Sequence, residues 1–118
     1  MQLDLSEKTA LVTGASAGLG VAIARCLARE GVRLAITARR AQALHGLAAE
    51  LEAEGASPLT VIPADITDPD DLARIAEAAQ DGLGQVDILV NCAGGIVNLS
   101  RRAKLPRSVT PSSAMDLS

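Results

Sequence analysis

The sequence predicts an α/β fold: a partial doubly wound parallel sheet of about four strands, order 3-2-1-4, with flanking helices and an irregular C-terminal tail. Three observations carry this expectation. Short apolar runs alternate with segments of helical periodicity, a glycine-rich turn joins the first run to the first helix, and the alternation ends after Gly95. Strands alternating with amphipathic helices pair in parallel through right-handed crossovers. Two such windings around one first strand give the order 3-2-1-4.

The first strand is expected over Lys8-Thr9-Ala10-Leu11-Val12, an apolar run of strand length. In the helix after it Leu19, Ile23 and Leu27 recur every four residues, with Arg25 and Arg29 on another face. The second strand is Arg33–Ala38. Its helix begins near Ala41, places Leu44, Leu47, Ala48 and Leu51 on one face, and ends at Gly55. The third strand is Leu59–Ala64, where Pro63 demands a sheet edge or a strand end because it has no N–H to donate. Asp68 caps the third helix, Pro69 takes its first position, and Asp70 and Asp71 fill its first turn. Leu72, Ile75, Ala79 and Leu83 form its apolar stripe. Val86–Val90 is the fourth strand.

Composition narrows the classes. The 118 residues suit one domain, and with no phenylalanine, tyrosine or tryptophan the core must be built from Ala, Val, Leu and Ile. Cys26 and Cys92 have no framework spacing and read as small buried hydrophobes, not as a disulfide or metal pair. No apolar run reaches the roughly 18–20 residues of a membrane span, and the N-terminus lacks a charged segment leading into an apolar one. A cytoplasmic setting is expected, with no membrane and no metal. Residues 97–118 hold five of the eight serines and four basic residues against Asp116 alone, whereas residues 1–96 carry seven basic and thirteen acidic residues. This basic tail is read as irregular or disordered. Single-strand nucleic-acid binding is disfavoured, because aromatic stacking platforms are absent and the body is acidic.

The stretch Thr13-Gly14-Ala15-Ser16-Ala17-Gly18-Leu19-Gly20 carries the first functional signal. Glycines let the backbone turn sharply and approach a ligand, while unpaired N–H groups at the helix start face an anion. The spacing is G-x-x-x-G-x-G; no Lys-Ser or Lys-Thr pair follows, so it is not a P-loop. The alternative is that Gly18 and Gly20 only allow helix and strand to pack closely. Nucleotide choice is read after the second strand, where a carboxylate would accept bonds from ribose hydroxyls. Ala38 stands there instead, followed by Arg39 and Arg40, and a guanidinium can pair with a 2′-phosphate. Arg39 is the better candidate of the two; both could instead solvate a helix start. Asp65 and Ile66 follow the third strand, where Asp65 can accept a hydrogen bond from an adenine amino group and Ile66 can lie against the ring. A plain turn aspartate is the alternative. Asn91-Cys92-Ala93-Gly94 ends the fourth strand: Asn91 can bond backbone on a neighbouring strand, and small Ala93 and Gly94 let the chain approach a ribose. Asp87, at the start of that strand, reads as structural, and His45 as solvated.

Together the T-G-x-x-x-G-x-G turn, Arg39 after a neutral Ala38, Asp65, and Asn91-Cys92-Ala93-Gly94 resemble the short-chain dehydrogenase/reductase family over residues 13–94, with Cys92 where the family has a second asparagine. The resemblance implies a Rossmann-type half-domain over residues 1–96, with NADP(H) favoured over NAD(H). It implies cofactor contacts from Gly14, Ser16, Gly18, Leu19, Gly20, Arg39, Asp65, Ile66, Asn91, Ala93 and Gly94. The family's hydride chemistry uses a tyrosine with a lysine four residues later, and this sequence has no tyrosine. No catalytic residue is therefore carried over.

The expected function is that of an oxidoreductase present as its cofactor-binding half, inactive alone, with a non-catalytic dinucleotide-binding or subunit-interaction module as the alternative. A truncated or frame-shifted product is expected from the tail's Arg-, Pro-, Ser- and Ala-rich composition. Self-association is expected through the fourth strand, whose edge would lack a partner.

Overall fold

The computed structural model describes residues 7–92 and 98–101. Its elements are β1 (Thr9–Thr13), α1 (Gly18–Arg29), β2 (Arg33–Ala38), α2 (Ala41–Ala53), β3 (Thr60–Pro63), α3 (Pro69–Leu83), β4 (Ile88–Asn91) and β5 (Asn98–Arg101). The sheet runs β3-β2-β1-β4-β5. Its first four strands are parallel, in the order expected from sequence, with Thr13 opposite both Thr37 and Asn91.

Strand alternation sends side chains to both faces, and both are covered. Ala10, Val12, Leu34, Ile36 and Val90 meet Leu44, Leu47 and Leu51 from α2 and Ala24 from α1. On the opposite face Leu11, Ala35, Ile62 and Leu89 meet Ile75, Ala79 and Leu83 of α3. Pro63 is the last residue of an edge strand, so its missing N–H leaves no gap in the ladder. Asp68 caps α3 by accepting the Asp70 N–H at 2.9 Å, and Pro69 stands at the helix start. Asp87 is structural as expected: its carboxylate accepts the Thr9 N–H at 3.0 Å and the Thr9 hydroxyl at 3.2 Å, tying the start of β1 to the entry of β4.

Three expectations are corrected. The face of α1 against the sheet carries Gly20 and Ala24, the two buried residues of the helix, and Leu19 is 46% exposed. Small residues let the helix approach the strands, so the wider Ile23 and Leu27 only flank the contact. Cys26 is exposed, not buried, because two residues place it about 200° around the helix from Ala24. Asn98–Arg101, assigned from sequence to the irregular tail, forms β5, antiparallel to β4, with Leu99 opposite Val90. Four residues are too few to show a period of their own, and the short link from Cys92 allows an antiparallel return but no parallel crossover. The β4 edge that was expected to stand open is therefore paired. Residues 102–118 lie outside the described residues.

Candidate functional site

The four parallel strands end together, so the residues that follow them share one edge of the sheet. Gly14 follows β1, Arg39 follows β2, Ala64 and Asp65 follow β3, and Cys92 follows β4. Ligands of open parallel sheets bind at that edge, where the chain leaves the strands and helices begin. Ala93 and Gly94, also assigned to the site from sequence, lie outside the described residues.

The turn between β1 and α1 is built by glycines that cannot be exchanged freely. Gly14 and Gly18 have φ of +68° and +56°, a left-handed conformation that side chains disfavour. A Cβ on Gly14 would stand 2.7 Å from the Cys92 carbonyl oxygen, and a Cβ on Gly20 would overlap the Gly14 carbonyl. The turn is thus pressed against the end of β4 and the start of α1 at once. The Ala15 N–H donates to the Thr37 carbonyl at 3.2 Å and fixes it to β2 as well. On the other side of the turn, a Cβ on Gly18 would meet nothing within 4 Å. Gly18 therefore faces open space.

The helix starts along this edge differ in a way that sorts their chemistry. The N-cap of α1 is Ala17, with no side-chain cap and no acidic residue in the first turn. The N-cap of α2 is Arg40, again without a side-chain cap or first-turn acid. By contrast, α3 is capped by Asp68 and carries Asp70 and Asp71. The positive ends of α1 and α2 remain open to an anion, whereas α3 is already satisfied by its own carboxylates. Ser16 and Leu19 lie at the open start of α1, and Leu19 is the large apolar side chain left exposed there.

Thr13, which the sequence reading did not assign to the site, locks β1 to β4. Its hydroxyl donates to Asn91 Oδ1 at 2.7 Å and accepts the Cys92 N–H at 3.2 Å. Asn91 was expected to bond backbone on a neighbouring strand; among the described residues its side-chain oxygen accepts this hydroxyl, because register places Thr13 directly opposite. Burial pushes the Cys92 thiol above its ordinary value of 9.0, which keeps it protonated and a poor nucleophile.

Among the described residues Arg25, Arg33 and Arg74 are engaged by carboxylates or backbone carbonyls. Arg39 and Arg40 are exposed and form no ion pair with any described carboxylate within 4 Å. An open depression of about 590 Å³ is lined by Arg40, Ala41, Gln42 and Ala43. Across the strand ends, Asp65 Oδ1 accepts the Thr67 hydroxyl at 2.6 Å and the Thr67 N–H at 2.9 Å. These bonds, with a smaller contribution from the Arg39 charge, hold the Asp65 carboxyl below its ordinary 3.8. A depressed carboxyl contributes stability above its unfolded value and loses it as pH falls through the folded one. Thr67→Ala, which loses the hydroxyl bond and keeps the N–H bond, is expected to raise the Asp65 pKa part of the way toward 3.8 and to weaken that contribution at neutral pH, as followed by NMR titration of the carboxyl carbon. An unshifted titration would show that the Thr67 hydroxyl is not the cause.

A family model described as short chain dehydrogenase matches residues 8–113. The glycine betaine reductase of Emericella nidulans is 49% identical over 90 residues, which are 76% of this chain and 7% of that protein. L-sorbose reductase from Gluconobacter frateurii, solved with NADPH and L-sorbose, superposes with a TM-score of 0.73 at 34% identity, covering 78% of this chain and 36% of the other. A 7α-hydroxysteroid dehydrogenase solved with NADH superposes with a TM-score of 0.70, also at 34% identity, over 72% of this chain and 33% of the other. Of three further curated relatives the chain spans 30%, 33% and 39% of the length.

Proposed function

The chain belongs to the short-chain dehydrogenase family, and we propose that its described body is the NADP(H)-binding part of an oxidoreductase that moves hydride between a nicotinamide and a carbonyl or alcohol. The family takes a nicotinamide dinucleotide, and the edge described above fits one. Gly14, Ser16, Gly18 and Gly20 would hold the pyrophosphate at the open start of α1, with Leu19 exposed beside it. Asp65 and Ile66 would take the adenine, and Asn91 and the residues after it the nicotinamide-side ribose. The bound cofactor would supply the hydride; this chain's own residues bind and orient it.

One observation carries the choice of NADP(H). Arg39 leaves β2 directly after Ala38, exposed and without an ion-pair partner among the described residues, where a carboxylate would otherwise meet the ribose hydroxyls. A planar guanidinium suits a 2′-phosphate, and no acid stands at position 38 to repel it.

The catalytic step needs groups that these 118 residues do not contain, since they include no tyrosine. That same observation favours the second reading, a non-catalytic dinucleotide-binding or subunit-interaction module. Titration of the purified chain with NADPH and NADH tests the first reading, and carbonyl-dependent NADPH oxidation separates the two. Saturable binding with NADPH ahead of NADH is expected, without turnover by the chain alone. Equal affinities would overturn the NADP(H) assignment, and turnover would overturn the inactivity.

A further inference from the structure

Chain leaving β3 has one backbone bond to the sheet, from the Ala64 N–H to the Ala38 carbonyl at 2.9 Å. Beyond that point its anchors come from α3 and its cap. Asp71 Oδ2 accepts the Asp65 N–H at 2.7 Å, and Asp71 Oδ1 lies 3.4 Å from Arg74 Nη2. The same Nη2 donates to the Pro63 carbonyl at 2.6 Å. The Asp68 N–H closes the loop onto the Asp65 carbonyl at 3.0 Å.

An acid in the first turn of a helix is ordinarily explained by the helix dipole. Asp71 does more than that explanation requires. The free N–H of Asp70 is taken by the cap Asp68, and among the described residues no hydrogen bond from a helix N–H reaches Asp71. One of its oxygens instead holds a peptide outside the helix, and the other meets the guanidinium that grips the end of β3. Two side chains three residues apart on α3 thereby clamp the strand end on both sides of Ala64. The clamp sets the Asp65 peptide plane, and with it the direction in which Asp65 and Ile66 leave the strand. Thr67 occupies Asp65 Oδ1, so Oδ2 is the oxygen left for a ligand.

We propose that Asp71, held by Arg74, is a positioning residue for the adenine end of the dinucleotide. The role rests on the reading of Asp65 and Ile66 as adenine contacts. It acts through a backbone N–H, which needs an acceptor at position 71, while the hold by Arg74 uses the second carboxylate oxygen. Dipole stabilisation would need the charge.

The test compares Asp71→Ala with Asp71→Asn in the full chain. The probes are adenosine 2′,5′-bisphosphate, inorganic pyrophosphate, and amide hydrogen exchange at Asp65 read by NMR. Loss of a hydrogen bond to a charged acceptor predicts an about tenfold rise in the Kd of the bisphosphate for Asp71→Ala. Pyrophosphate, which has no adenine, should bind as before. Exchange at the Asp65 amide should speed up in Asp71→Ala and less so in Asp71→Asn, whose amide oxygen still accepts but whose NH2 loses the contact with Arg74, so its affinity should fall between those of wild type and Asp71→Ala. An asparagine variant as impaired as the alanine one, an equal loss for pyrophosphate, or unchanged Asp65 exchange in Asp71→Ala would each overturn the proposal. Failure of the wild-type chain to bind the bisphosphate would overturn the adenine reading itself, and this role with it. Asp65 exchange would still report whether the clamp exists.

Discussion

Arg39→Asp is expected to raise the Kd for NADPH by about 100-fold while changing that for NADH by less than about threefold, because a charge-assisted bond is exchanged for a repelling carboxylate. The size follows from where Arg39 stands. It is the first residue beyond β2, exposed, and without an ion-pair partner among the described residues, so no existing bond has to break for it to meet a phosphate. The new carboxylate would also face Asp65, which now feels the Arg39 charge, and loss of that charge should move the Asp65 titration upward. Calorimetry with both cofactors gives the affinities. Equal losses for NADPH and NADH would show that Arg39 supports the fold or the general field and does not read the 2′-phosphate. Arg40→Ala is the internal control and should change affinity far less.

The largest effect on stability is expected at Gly20. A Cβ there would overlap the Gly14 carbonyl oxygen, lie 2.8 Å from its carbon and stand 3.1 Å from the Ala15 Cα. All three are backbone atoms, so no rotamer can relieve the clash. Overpacking of this kind costs about 1–3 kcal/mol or more. For a body of this size each kcal/mol corresponds to roughly 4–8 °C in Tm. Gly20→Ala should therefore lower Tm by about 10 °C or more and abolish detectable dinucleotide binding, since the relief must come from moving the turn. Gly46→Ala provides the contrast: it lies within α2, and its Cβ would meet nothing within 4 Å. That change should stabilise the chain by about 0.5–1 kcal/mol. Melting curves of both variants decide the matter, and a Gly20→Ala protein that melts like wild type would contradict the packing account.

Much of this fold is legible in the sequence because its signals are local. Asp68-Pro69 marks the start of α3 through a cap and a fixed φ, and both act within three residues. Arg33–Ala38 is bounded at the residues expected, where a short apolar run ends at the arginines before α2. Parallel order followed from alternation alone. The positions of Gly14, Arg39 and Asp65 at one edge follow from that order, since each stands just past a strand end.

What remained hidden depends on partners distant in sequence. Leu19 has the periodicity of a buried stripe, yet α1 seats itself on Gly20 and Ala24, since the smallest residues allow the closest approach to the strands. Thr13 looks like an ordinary strand residue until register sets it opposite Asn91, 78 positions away. Asn98–Arg101 has too few residues to declare itself, and becomes a strand only against β4.

By itself, then, the sequence determined the strand order, the helix starts and the glycine-rich turn, together with the lack of any tyrosine. Each is written in neighbouring residues or in composition. Only the tertiary structure decided which face of α1 meets the sheet, which hydroxyl binds Asn91, what pairs with the β4 edge, and that Asp71 reaches back to Asp65. Those choices are made by distances across the sheet and between layers. A chain read one residue after another does not contain such distances until strand pairing and close packing have fixed them.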